Sequence, residues 1–370
     1  MSHRIVLIFK GLSGGTEGDS VLRELGGVWP VLLERAQVGV LQTHQDVLTP
    51  EVAYFGISPV RFPVAAGPLM VSALGVDPPD RSVHFHLSWL SVDEAGQLGF
   101  APGKVSAQEL DALNQVFEQL QTKRLIPVLG EGTDHALVWE DGSLDLGVTA
   151  PSQAAGQPWD SCLPEGDGER ILRQLIEDSL NILDDHEINR IRREEGEPPL
   201  NVLWPWGFGF RPSLPNLALR RGEVVEVRSN SLRLQGLARL VGYRHSERSR
   251  FLKGVHVNPK VLKDTFNSSS NQIVVLNLEE MRQQNRMEEI EYSLRVVGEN
   301  LVEPILSQPE PEHEILILAP GNPGLFAFCA SYAIAESNLP FDERILDEPK
   351  APKRRMEELI DQFLTPKTTG

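Results

Sequence analysis

Nine histidines and two cysteines are the residues of this chain best suited to metal or redox chemistry, and their spacing favours neither. His84 and His86 stand two residues apart, and on an alternating strand such a pair faces one side. A metal would also need Asp or Glu partners that the sequence does not place, so both read as half-buried strand histidines. Cys162 and Cys329 lie far apart with no CxxC spacing, which reads as two reduced packing thiols. Gly11, Gly14 and Gly15 follow an apolar run, as a phosphate cradle would. The Lys-Ser/Thr pair of a P-loop and the spacing of a dinucleotide fingerprint are both missing, so a tight turn is the better reading. Trp204 and Trp206, beside prolines, read as packing residues at a domain junction.

The elements that must position these residues are those of a two-domain protein of 370 residues. Hydrophobic residues make up 41%, enough for a sizeable core, and the net charge of -17 argues against nucleic-acid or anionic-membrane surfaces. No apolar run reaches the ~18 residues of a membrane span. The first ten residues lack the long apolar region and cleavage site of a secretory signal, so a cytoplasmic location is expected.

Ile5 to Phe9 reads as a buried strand, Val31 to Ala36 as a helix and Val38 to Leu41 as a strand. Prolines from Pro59 to Pro79 suggest a boundary near residue 78. Then come a strand (Val83–Leu90), a helix (Ala107–Gln121), a strand pair (Leu125–Leu129, His135–Glu140) and a long loop (Gly147–Glu169). One long helix is expected over Glu169–Arg193. Strands and helices then alternate through Glu223–Val227, Ser231–Leu240, Gln272–Leu278, Glu288–Leu306, Glu314–Leu318 and Gly324–Glu336, with a last helix at Met356–Leu364. Such alternation predicts a mostly parallel sheet.

The most informative stretch is His186 to Leu217. It holds His186-x-x-Asn189-Arg190-x-Arg192-Arg193, then Pro199-x-Asn201-x-Leu203-Trp204-x-Trp206-Gly207-x-Gly209, then Pro212-x-Leu214-Pro215. This resembles the archaeal-type, cofactor-independent phosphoglycerate mutase family, with weaker agreement over about residues 4 to 364. The resemblance implies an alkaline-phosphatase-like α/β sandwich core (1–78 and 200–370) with a smaller inserted α/β domain (79–199). It also implies two divalent metals, usually manganese or zinc, and a Ser or Thr nucleophile. The metals would neutralise the transferring phosphoryl group and activate the nucleophile. By the same resemblance Asn189, Arg190, Arg192 and Arg193 would line an anion pocket, with guanidinium forks on carboxylate or phosphate. Read from the residues alone, that run is a basic helix end paired with Glu194, Glu195 and Glu197.

The sequence departs from the family where the chemistry sits. Lys10 stands at the first metal-ligand position, and an ammonium repels a dication. The nucleophile turn reads Thr49-Pro50-Glu51-Val52-Ala53-Tyr54, with Pro50 in the nucleophile's place; a register shifted by one would offer Thr49. The late Asp-His ligand pair is replaced by Pro320 and Gly321, followed by Asn322 and Pro323. Glu279, Glu280, Met281 and Arg282 stand where another ligand segment is expected. No His follows His313. Other substrate arginines are replaced too, at His86 and across Gly99–Lys104.

These departures lead to an expected non-catalytic phosphoglycerate-mutase-like protein that needs no cofactor. It would bind a small phosphorylated or carboxylated metabolite, a protein partner or a second copy of itself. The alternative is an active phosphoglycerate mutase, or a related metal-dependent phosphoryl-transfer enzyme, with manganese or zinc held by relocated ligands.

Overall fold

The computed structural model describes residues 3–12, 22, 25–44, 46–99, 105–253, 256–283, 285–308, 312–321, 324–330 and 343–365. Its contacts divide the chain into one unit of residues 1–62 and 214–370 and a second of 63–213. The sequence suggested cuts at 78/79 and 199/200. The two intervening stretches join the second unit for a visible reason. The strand Val202–Gly209 pairs along Val83–Val92. The helix Ala66–Ala73 lies so close to that strand that a Cβ on Gly67 would come within 2.2 Å of the His84 carbonyl oxygen.

The first unit is built on an eight-stranded sheet. Its order is Arg244–His245, Val225–Ser229, Asn271–Asn277, His3–Lys10, His313–Ala319, Gly324–Ala330, Gln37–Gln42 and Lys353–Arg355. His3–Lys10 is central and pairs in parallel with a neighbour on either side. Ile5 to Phe9 are buried throughout, the pattern of a strand covered on both faces. Helices pack over one face through Trp29, Leu33, Leu294 and Val297. The mostly parallel α/β architecture expected from the sequence is therefore present.

Gly324–Ala330 differs from its expected place in the alternation, where a helix was due. It is a strand, antiparallel to both His313–Ala319 and Gln37–Gln42. A short apolar run such as Leu-Phe-Ala-Phe-Cys-Ala fits a helix or a strand equally by periodicity, and here two open strand edges claim it. The rest of that element, 331–336, lies outside the described residues, as do Gly14, Gly15 and 100–104.

The second unit holds an antiparallel sheet of Leu98–Gly99, Val83–Val92, Asp134–Trp139 and Leu125–Glu131, with Val202–Gly209 also on Val83–Val92. Two expected single helices are broken. Ala107–Gln121 divides into Ala107–Asn114 and Val116–Leu120. Glu169–Arg193 divides into Glu169–Leu183 and Glu187–Glu194, because the His186 ring nitrogen accepts from the Ile188 amide and caps a new helix. The expected long loop after Gly147 carries a short helix at Pro151–Ala154 and a 3₁₀ turn at Trp159–Cys162.

Candidate functional site

In open α/β sheets, ligand sites form beyond the carboxyl ends of the strands. Lys10 is the last residue of the central strand, paired in register with Asn277. Just beyond, Gly11 takes φ +90°, and a Cβ there would sit 2.9 Å from the Glu279 backbone nitrogen. Only glycine permits so close a turn, which sets Lys10 and Glu279 side by side. The Asn230 side chain bonds both the amide and the carbonyl of Asn277. This fixes the turn that opens the helix Leu232–Leu240, which carries Arg233.

Three ion pairs meet at Lys10 and Glu51. The Lys10 Nζ lies 2.7 Å from Glu51 Oε1 and 2.9 Å from Glu279 Oε2. Arg233 reaches the same Glu51 oxygen at 3.4 Å. Glu51 comes from the 3₁₀ turn Pro50–Phe55, where proline's fixed φ suits the first position and residues 51 to 55 are all buried. Burial alone would push the Glu51 carboxyl up; the charges of Arg233 and Lys10 and the bond from Lys10 outweigh it and hold it at about 2. Tyr54, buried in the same turn, is pushed well above its ordinary value by burial and by the carboxylates of Glu51 and Glu279, so it stays protonated.

This arrangement does not fit a divalent cation. Glu51 and Glu279 are already bridged by an ammonium, and hard metals need several oxygen or imidazole donors converging on one point. Among the described residues no group of three or more His, Cys, Asp or Glu could hold a metal. Gly321 offers only its carbonyl, 3.5 Å from the Thr43 hydroxyl. Nearby in sequence, His44 bonds Glu357 at 2.8 Å. Pro50 has no hydroxyl. The Thr49 hydroxyl is buried and, among the described residues, has no hydrogen-bond partner and no base at bonding distance.

The Asn-Arg-x-Arg-Arg run of the second unit is mostly engaged internally. Asn189 is fully buried: its amide donates to the carbonyls of Leu183 and Leu200, and its oxygen accepts from the Leu200 amide. Arg192, also buried, bonds the Pro198 carbonyl at 2.8 Å and Glu109 at 2.7 Å. Arg193 holds the carbonyl and carboxylate of Asp184. The pairing partners are thus Glu109 and Asp184, in place of Glu194, Glu195 or Glu197. Of the four candidates for an anion pocket, Arg190 alone is exposed.

The strand histidines are buried rather than half-buried, with local partners. His84 bonds Ser82, while His86 bonds Asp134 at 2.9 Å and stacks on Trp206. Trp204 donates to the Thr149 carbonyl and Trp206 to Ser88. Both cysteines are free and buried.

Sequence reasoning found Lys10 and the turn at Pro50 but missed Arg233. No motif marks it; the available signal was a basic residue in the first turn of the helix that follows the strand Val225–Ser229.

With this geometry in hand, known proteins give it a context. The family model described as "2,3-bisphosphoglycerate-independent phosphoglycerate mutase" matches residues 34–189. A protein of that name from Methanothrix thermoacetophila is 26% identical over 63% of this chain and 63% of its own length. A second, from Methanothermobacter thermautotrophicus, is 29% identical over 54% of this chain and 49% of its own. The chain thus spans between about half and two thirds of the length of these curated relatives. The cofactor-independent phosphoglycerate mutase from Thermoplasma acidophilum superposes over 98% of this chain and 99% of its own, with a TM-score of 0.54 at 17% identity. The family resemblance read from His186 to Leu217 is borne out by the family model and the relatives, and the fold by the solved structure.

Proposed function

We propose that this chain is a non-catalytic phosphoglycerate-mutase-like protein that binds a small phosphorylated or carboxylated metabolite or a protein partner. The observation that carries the reading is the Lys10 ammonium bridging Glu51 and Glu279 beyond the central strand. It supplies positive charge where the family resemblance implies metal, but it cannot polarise a phosphoryl oxygen and activate a nucleophile at once as two metals do. Pro50 in the nucleophile's place supports the same conclusion, since loss of a nucleophile that works as part of a unit costs ~10⁶ in rate. No cofactor is needed for binding, and the acidic surface suits neither nucleic acid nor an anionic membrane. Among the described residues no helix is long and apolar enough to cross a membrane.

A second reading is favoured by the names of the relatives and by the unpartnered Thr49 hydroxyl, one residue from Pro50. It takes the chain as an active phosphoglycerate mutase using Thr49 with manganese or zinc. One assay separates the two. Purified protein is given 3-phosphoglycerate with and without manganese or zinc, and 2-phosphoglycerate is measured. No turnover is expected; turnover that disappears in Thr49→Ala would establish the second reading.

A further inference from the structure

A cavity of about 640 Å³ opens in the helical layer of the first unit, lined by none of the residues of the Lys10 cluster. One wall is the helix Val28–Arg35. The other is the continuous run of Met287–Val297, a π-helical turn at Gly298–Val302 and the helix Glu303–Ser307. A side chain at Gly298 would press on the Trp29 indole nitrogen at 3.0 Å, so glycine lets the two walls approach there. Single π turns inside α-helices recur at binding sites because they swing one face of the helix out of register.

The lining is unusual for a chain of net charge -17. Arg35 and Arg295 face the cavity without an ion-pair partner among the described residues, and so do Glu299 and Glu303 on the second wall. Arg35 is half-buried and Arg295 exposed, whereas the buried Arg4, Arg192, Arg221 and Arg228 are each paired with a carboxylate. Two cations and two anions therefore line one cavity, and Val28, Trp29 and Leu306 add apolar surface to it.

We propose that this cavity binds a small zwitterion with an apolar body, of the class of a free α-amino acid with an aliphatic or aromatic side chain. Its carboxylate is taken by the guanidinium of Arg295, the group best shaped for a planar anion. Its ammonium is taken by Glu303. Its side chain lies on Val28 and Leu306, in a volume within the usual range of ligand sites. A simple dianion would meet two carboxylates, and a wholly apolar ligand would strip water from four charges without compensation.

The test is an NMR titration of the full chain that follows the Trp29 indole N–H, which is buried in the cavity wall without an acceptor among the described residues. The probes are L-leucine, L-phenylalanine, inorganic phosphate and citrate. The amino acids should shift that resonance saturably, and phosphate and citrate should neither shift it nor compete. Arg295→Ala and Glu303→Gln, both at exposed positions, should each melt as the parent does. Each should weaken binding by about tenfold, the worth of one hydrogen bond to a charged group. The proposal is overturned if neither amino acid shifts the signal, if phosphate shifts it equally, or if both variants bind as the parent does.

Discussion

The Lys10 ammonium donates to the Glu51 carboxylate over 2.7 Å, joining the end of the central strand to a buried 3₁₀ turn 41 residues further along the chain. Each group depends on the other. Without Lys10, Glu51 would keep Arg233 at 3.4 Å and a backbone hydrogen bond to offset its burial. Removing one partner of a buried pair typically costs ~3–5 kcal/mol. Lys10→Met should therefore lower stability by about that amount in a denaturant titration at pH 7, and an unchanged midpoint would refute the coupling.

The same pair fixes a response to acid. Glu51 is held at about 2 when folded, below the 4.5 of an ordinary glutamate. Its contribution is therefore fully present above about pH 4.5 and is lost as pH falls towards 2. Glu51→Gln should be less stable than the parent at pH 7, and the difference should shrink through that window. Melting curves of both proteins from pH 7 to 2 decide it; a constant gap would assign the acid response to other groups.

A second acid response belongs to the second unit. His135 is pushed down to about 4, chiefly by burial, with His86 adding to the effect and Asp134 opposing it. Its Nδ1 accepts from the Gly130 amide at 2.9 Å, so the ring must be neutral in the fold. A histidine depressed below its ordinary 6.5 stabilises the fold fully above that value, and the contribution is lost as pH falls from about 6.5 through 4. An NMR titration of the ring should show no protonation until near pH 4. A midpoint near 6.5 would place the ring in contact with water.

Asn189 offers a test of staple against ligand contact. Its side chain satisfies two carbonyls and one amide inside the second unit. Asn189→Ala leaves those groups without partners and should cost about 2–4 kcal/mol, with faster hydrogen exchange at Leu200. If the variant melts as the parent does, Asn189 is free for recognition. Arg190→Ala, at an exposed position, should leave melting unchanged and abolish whatever weak affinity for phosphoglycerate this run retains, as read by calorimetry.

Much of this was legible in the residues, and the reasons differ by element. The central strand announces itself because Ile5 to Phe9 are apolar without interruption. Lys10 could be singled out because the family resemblance implies a metal ligand at that position. The break at Asp184 and His186 was hidden, since the apolar residues of Glu169–Leu183 and Ile188 continue one helical rhythm across it. What stops the helix is a single ring nitrogen bonding the Ile188 amide. Arg233 was hidden for another reason: it meets Glu51 across 182 residues of chain, a distance no local pattern spans. The internal partners of Arg192 and Arg193 were missed because sequence offers neighbours at i+1 to i+5, whereas Glu109 and Asp184 come from another helix and from the break.

The position of the first strand has a consequence for how the chain is made. His3–Lys10 finds its neighbours at Asn271–Asn277 and His313–Ala319, so on a ribosome it must wait until those distant segments emerge. The strands of 63–213 all pair within their own segment. That unit has its partners complete early, and N-terminal material that can fold does so during synthesis. The apolar segment from Ile5 to Phe9 meanwhile stays unpaired, a long-range closure of the kind that slows folding. The unit of 63–213 thus has its partners before the strand His3–Lys10 has its own, and that apolar strand stays exposed until Asn271–Asn277 and His313–Ala319 are made.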